Sequence, residues 1–167
     1  ITAGESALQE VITATLWFAA ISVGLMAGVY FAFSAFVMQA LDAAGRPAGM
    51  AAMQSINRII VRSLFLPLFF ASSLACLLLA VFGVMIWGSV GAWQMVIGGV
   101  IYLVGMLAVT AFANVPLNNA LEAVDAAGAE AEAMWRRYMQ RWLPWNHVRT
   151  VSCTVSLILM IGAIAQR

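Results

Sequence analysis

Four long apolar runs, at 11–40, 59–87, 92–113 and 148–165, decide what this chain can become. A helix needs about 20 apolar residues to cross the hydrocarbon core of a bilayer, and each run reaches or approaches that length. Backbone amides cannot stay unpaired in lipid, so such runs must be helices rather than open strands. The sequence therefore predicts an all-α, integral membrane four-helix bundle, with residues 1–167 forming one domain. Composition agrees, because only 9% of the residues are charged against about 25% in soluble domains. A net charge of +1 excludes nucleic acid as a partner, which would need a strongly basic surface. The partner the composition implies is the lipid bilayer.

The connections carry the detail. The segment Ile1–Glu10 has two acids and no base, unlike the basic start of a secretory signal, so the first run is read as a membrane helix. It holds Gly24 and Gly28, a GxxxG pattern that allows close helix approach. That approach is expected within the chain, with a homo-oligomer or a larger membrane complex as the alternative. Residues 41–55, with Gly45, Pro47 and Gly49, read as a turn-rich loop. The second run places Arg62 one turn inside a helix and Pro67 at a kink. Gly88 to Gly91 is a tight hairpin, and the third run closes at Asn114-Val-Pro116. The polar segment 117–145 reads as two helical pieces broken near Gly128. In the second piece Trp135, Tyr138, Met139 and Trp142 follow i, i+3, i+4, i+7 spacing, with Arg136, Arg137, Gln140 and Arg141 opposite. This predicts an interfacial amphipathic helix lying along the membrane surface. Cys76 and Cys153 fall at different depths and are read as unbridged core residues.

Arginine sets the orientation. Arg46, Arg58 and Arg62 belong to the first connection and Arg136, Arg137, Arg141 and Arg149 to the third, while Arg167 stands alone on the other side. The positive-inside rule then puts 41–58 and 114–147 in the cytoplasm and both termini outside, in a bacterial cytoplasmic membrane.

Polar residues gather at that same end. All the asparagines (Asn57, Asn114, Asn118, Asn119 and Asn146) lie there, together with Arg58, Arg62, Arg149 and the only histidine, His147. Tyr30 and Ser34 reach it from the first helix. Polar groups at membrane depth usually face the bundle interior or a wet cavity, so four helices would line one pocket at the interface. The plain alternative is anchoring: arginines reach for phosphate, tryptophans form a belt and asparagines cap helices. A single histidine cannot build a bis-His haem, a di-iron bundle site or a multi-His copper centre. There is also no phosphate loop and no Gly-x-Ser-x-Gly elbow. Glu122, Asp125, Glu130 and Glu132 read as a solvated face. No metal site and no bound cofactor is expected.

Two stretches resemble a known family: Asn114-Val-Pro-Leu-Asn118-Asn119, and Tyr138-Met-x-Arg141-Trp-x-x-Trp145-Asn-His-Val-Arg149-Thr. With Gly28-Val-Tyr-Phe-Ala-Phe-Ser34 and Met53-Gln-Ser-Ile-Asn57-Arg58, they are similar to the DUF1772 family, small four-helix membrane proteins that include the anthrone oxygenases. The resemblance implies oxidation of a polyphenolic anthrone to an anthraquinone by O₂ without a cofactor. Such chemistry asks for a base, a cation near developing negative charge, and a flat aromatic pocket. Under that resemblance His147, the residue type that titrates near neutrality, is the base, and Arg62 and Arg149 stabilise enolate or superoxide. Asn114, Asn118 and Asn146, with Asn57 and Arg58 beside them, bind phenolic oxygens; Trp142, Trp145 and Tyr30 stack on the rings. The competing reading is a non-enzymatic membrane subunit whose polar cluster knots the helix ends together. A small-molecule transporter is a third, disfavoured because no carboxylate lies inside an apolar run.

Overall fold

The apolar runs do become helices, and the polar connections become helices as well. The structure, a computed structural model, describes residues 3–167. The chain runs through α1 (Ala3–Ala32), a π-helical segment (Phe33–Val37), α2 (Met38–Ala43), α3 (Arg46–Ile60), α4 (Phe65–Met85) and α5 (Ala92–Tyr102). It continues through two further π segments (Leu103–Ala108 and Thr110–Asn114), α6 (Val115–Glu122) and α7 (Ala131–Ala165). Four stretches are long and apolar enough to cross a membrane: Gly4–Ala43, Phe65–Met85, Ala92–Glu122 and Ala131–Ala165. Between 28% and 39% of the most apolar window of each is buried within the bundle. The rest is an apolar surface far larger than soluble monomers expose, which lipid must cover. The molecule is an integral membrane protein.

The helices form a square in which α1 packs on α7, α7 on α5, α5 on α4, and α4 back on α1. Ile12, Leu16, Met26, Leu79, Met95, Tyr102, Met106 and Met160 fill its centre. Cys76 and Cys153 lie buried there as free thiols. Close approach comes from glycines other than the GxxxG pair. A Cβ on Gly99 would strike the Cys76 carbonyl oxygen, and one on Gly105 would strike the Ser152 side chain. Gly24 meets only Leu157, at ordinary contact distance, and Gly28 faces open space. The pair therefore draws no helices of this chain together.

Several boundaries differ from the sequence reading. Most of the stretch 41–55, expected as loop, is helical, and residues from Arg46 to Ile60 form α3: Gly45 turns the chain at φ +93° and Pro47 stands in the first turn, where its missing N–H costs nothing. The second membrane helix starts only at Phe65, after a turn at 61–64. Ser63 Oγ accepts the Phe65 N–H at 3.2 Å, so Pro67 opens α4 instead of kinking it. Arg62 falls in that turn and is exposed. The third helix passes Pro116 and ends at Glu122. The preceding π segment, with its looser i→i+5 bonding, absorbs the proline that would otherwise break a regular helix.

The break near Gly128 is present, at 123–130, but the helix after it does not stop before the fourth span. It is continuous from Ala131 to Ala165 with Pro144 inside. Nor does its aromatic stripe lie on a membrane surface. Trp135, Tyr138 and Trp142 stack in series, with ring centroids 5.9 and 5.7 Å apart. They are buried against Met38, Met50, Met53 and Leu121. Trp135 Nε1 also donates to Asp42 Oδ1 at 2.8 Å, which fixes α7 to α2. Packing on both sides of Pro144 outweighs the roughly 3 kcal/mol that an internal proline costs a helix.

A cation-bearing cavity at the connection end

Beneath that aromatic stack the bundle encloses a cavity of about 420 Å³, inside the ~300–1,000 Å³ range of small-molecule pockets. Its floor and back wall are polar. Arg149 is buried on α7 (5% exposed), with its Cζ 4.3 Å from the Tyr30 ring centroid and 5.1 Å from that of Trp142. Its Nη2 donates to Asn146 Oδ1 at 2.7 Å and its Nη1 to Thr110 Oγ1 at 3.4 Å. Every one of these partners is neutral. The ion pairs among the described residues join Arg46 and Arg136 to Glu132 and Arg58 to Glu122; none involves Arg149.

Asn146 is the hinge of the back wall. Its Nδ2 donates to the Tyr30 carbonyl and to Ser34 Oγ, both at 2.8 Å, so the first π segment is tied to α7. A π turn is rare and concentrates at functional sites; here the first carries Ser34 and Phe33, and the third carries Thr110 and Ala111. Asn57 of α3, Asn118 of α6 and the rings of Phe65 and Phe69 complete the lining. Tyr138 donates to Asn118 Oδ1 at 2.7 Å. Five buried side-chain polar atoms of the described residues lack a hydrogen-bond partner. Three belong to cavity-lining residues, and all three are donors: Asn57 Nδ2, Trp142 Nε1 and Arg149 Nε. The other two, Gln94 Oε1 and Asn114 Oδ1, belong to residues outside the lining.

Of the residues singled out from sequence, Arg149, Asn146, Asn118, Asn57, Trp142 and Tyr30 meet at this cavity. Asn114 is buried just behind it, with Nδ2 donating to the Trp142 carbonyl at 3.3 Å. The others do not join them. Arg62 is exposed in its turn, and Trp145 is 44% exposed, pointing away from the lining. Arg58 is paired with Glu122 at 2.6 Å on the surface. His147 is exposed on the outer side of α7, where Nδ1 lies 2.9 Å from Ser34 Oγ. It touches the wall through Ser34 and is absent from the lining. Sequence reasoning missed Ser34 as the shared partner, Thr110, and the Phe65–Phe69 wall. Among the described residues no three His, Cys, Asp or Glu side chains gather as a metal site would require.

The fold and the cavity together define a class: a four-span helical membrane protein that holds an unpaired cation in an apolar chamber. The family follows from comparison of sequences. Residues 53–159 match the family described as anthrone oxygenase, and the chain belongs to that family. No curated protein and no solved structure is similar enough to match.

Proposed function

We propose that this protein oxidises a hydroxylated anthrone, or a closely related polycyclic phenol, to the quinone with O₂, and that the cavity around Arg149 is where it does so. One observation carries the reading: a buried guanidinium with only neutral partners. An arginine is always charged, and a buried charge is normally paired, so a site like this suits a ligand that offers oxygen acceptors and a reaction that forms negative charge beside it. The unpaired donors of Asn57 and Trp142 ask for oxygens of the same ligand. The flat walls of Tyr30, Trp142, Phe65 and Phe69 suit fused aromatic rings.

The reaction then needs little acid–base help. The enol tautomer of the bound anthrone gives one electron to O₂, and its hydroxyl proton follows to the superoxide formed. The resulting radicals couple at the former methylene carbon to give a hydroperoxide. Loss of water breaks the O–O and remaining C–H bonds and leaves the second ketone, so anthrone plus O₂ becomes anthraquinone plus water. Arg149 stabilises the negative charge on superoxide until the proton reaches it, the kind of preorganised electrostatic assistance that dominates many enzymes. No lining residue is a carboxylate or a histidine, which agrees with a route that keeps the proton between substrate and oxygen. His147 becomes a positioning residue acting through Ser34. We further place the arginine-rich connection end on the cytoplasmic side of a bacterial membrane, by the positive-inside rule.

The test is oxygen uptake by the detergent-purified protein supplied with a simple hydroxylated anthrone, with uncatalysed autoxidation subtracted. Uptake matched one to one by anthraquinone is expected. Uptake no faster than autoxidation across a panel of hydroxylated anthrones would remove the oxygenase assignment.

A further inference from the structure

We propose that the substrate reaches the cavity sideways from the bilayer, through a gap between the start of α4 and the Thr110–Asn114 turn with α6, and is therefore a neutral, lipid-dissolved aromatic. The proposal rests on the functional reading above for its ligand and on separate observations for its route.

The exposed part of the cavity lining is the first observation. Only Val61, Phe70, Ala111 and Val115 both line the cavity and are exposed; all are apolar, and none comes from α1 or α7. Phe70 and Val61 are 60% and 52% exposed, while Arg149 and Asn146 at the back are at most 5% exposed. The chamber thus grades from an apolar mouth to a polar floor. The second observation is the packing of α4, which lies along α5 but has little contact with the third π segment or α6. The two elements diverge toward the connection end, and the mouth lies where they part.

The connection side is closed. Gln54 Nε2 donates to the carbonyls of Leu121 and Val124, both at 2.9 Å, clamping α3 over the end of α6. The Arg58–Glu122 pair joins the same two helices. Met53, Leu121 and Tyr138, each 2% exposed or less, seal the space beneath. These contacts cover Arg149 from the connection side, whereas a flat apolar molecule in the membrane meets aliphatic and aromatic side chains at the mouth. The mouth also selects for charge: a sulfonated or ionised aromatic would have to leave water for hydrocarbon before meeting its cation.

The experiment uses the full chain in phosphatidylcholine vesicles with a neutral hydroxyanthraquinone, whose visible band shifts when its phenol meets a cation. Association should slow in proportion as lipid is added at fixed protein and dye. Val61→Trp and Ala111→Trp should slow it by about ten-fold, within the one to three decades over which on-rates at one site vary. Val61→Ala, which cannot fail by overpacking, should speed it. Loosening the clamp with Gln54→Ala should leave it unchanged. Indifference to added lipid and to all three portal changes, or equally fast binding of a sulfonated dye, overturns the route. Failure of the oxygenase reading looks different: no oxygen uptake, with the neutral dye still entering at a portal-dependent rate.

Discussion

Replacing Arg149 with methionine separates a binding site from a structural knot, because the two readings predict opposite balances of stability and activity. Methionine keeps the length and most of the apolar stem while removing the charge. The structure supplies the terms. The change orphans Asn146 Oδ1, which accepts from Nη2 at 2.7 Å; an unsatisfied buried polar atom costs about 1–3 kcal/mol. It also removes contacts with the Tyr30 and Trp142 rings, each worth about 0.5–2 kcal/mol. Against these stands relief of an ion desolvated without a counter-charge, an effective penalty of several kcal/mol. The opposing terms are of similar size, so Arg149→Met should stay within about 1 kcal/mol of the parent in denaturant unfolding. A guanidinium that knotted the helices together would instead cost about 1.5–3 kcal/mol for each of its two charge-assisted hydrogen bonds lost. Activity moves the other way: losing a preorganised donor to developing negative charge lowers kcat by about 10²–10³. Both quantities are measured on one detergent preparation, by oxygen electrode and by denaturant titration followed through tryptophan emission. A variant that unfolds readily and loses activity only in proportion to its unfolded fraction would refute the reasoning. So would a well-folded variant with full activity.

Other changes probe separate parts of the argument. His147→Ala should keep oxygen uptake within a few-fold of the parent, because its ring lies outside the lining. Ser34→Ala, which removes the oxygen shared by Asn146 and His147, should raise KM more than it lowers kcat; an inactive His147→Ala with intact Ser34→Ala would reverse those assignments. Gly99→Ala drives a methyl into the Cys76 carbonyl and should destabilise by about 1–3 kcal/mol, the usual result of overpacking. Gly28→Ala meets nothing within 4 Å and should be neutral in unfolding experiments; marked destabilisation there would reveal a second chain packed on that face.

The spans were legible because lipid leaves the backbone no alternative, and because each run's apolar length is independent of what it packs against. The site was half legible, and the misses share one cause. Trp145, Asn146, His147 and Arg149 are neighbours in sequence, but at about 100° per residue they spread around a helix. Taking the fourth helix to begin at Val148 removed the phase that separates them. With α7 continuous from Ala131, Trp142, Asn146, Arg149 and Cys153 follow i, i+4, i+7, i+11 and face inward, while Trp145 and His147 face out. Arg62 was lost for the converse reason. It was read one turn inside the second membrane helix, but the turn at 61–64 carries it out to the surface. The π segments left no trace in the sequence, since nothing distinguishes Phe33–Val37 from ordinary helix. They are what brings Ser34 and Thr110 to the same wall.

The sign of the unpaired groups bears on the choice between the two functional readings. A cluster selected to knot helix ends together gains by satisfying its own members, since each orphaned buried group works against the knot. The cavity lining engages its amide oxygens and leaves donors over, while Asn114 Oδ1, just behind it, is an acceptor without a partner. Asn146 Oδ1 and Asn118 Oδ1 are both engaged, whereas Asn57 Nδ2, Trp142 Nε1 and Arg149 Nε are free. A lining short of acceptors around an unpaired cation is complementary to a ligand rich in oxygens and to superoxide formed beside it, which is what the proposed oxidation of a polyphenol requires. Asn57→Asp and Trp142→Phe act on the same deficit, the first by supplying an anion and the second by deleting a donor. If the protein is a knot, Asn57→Asp should stabilise it by pairing with Arg149. If the cavity awaits a ligand, that internal carboxylate should compete for the cation, so that substrate KM rises while unfolding resistance improves.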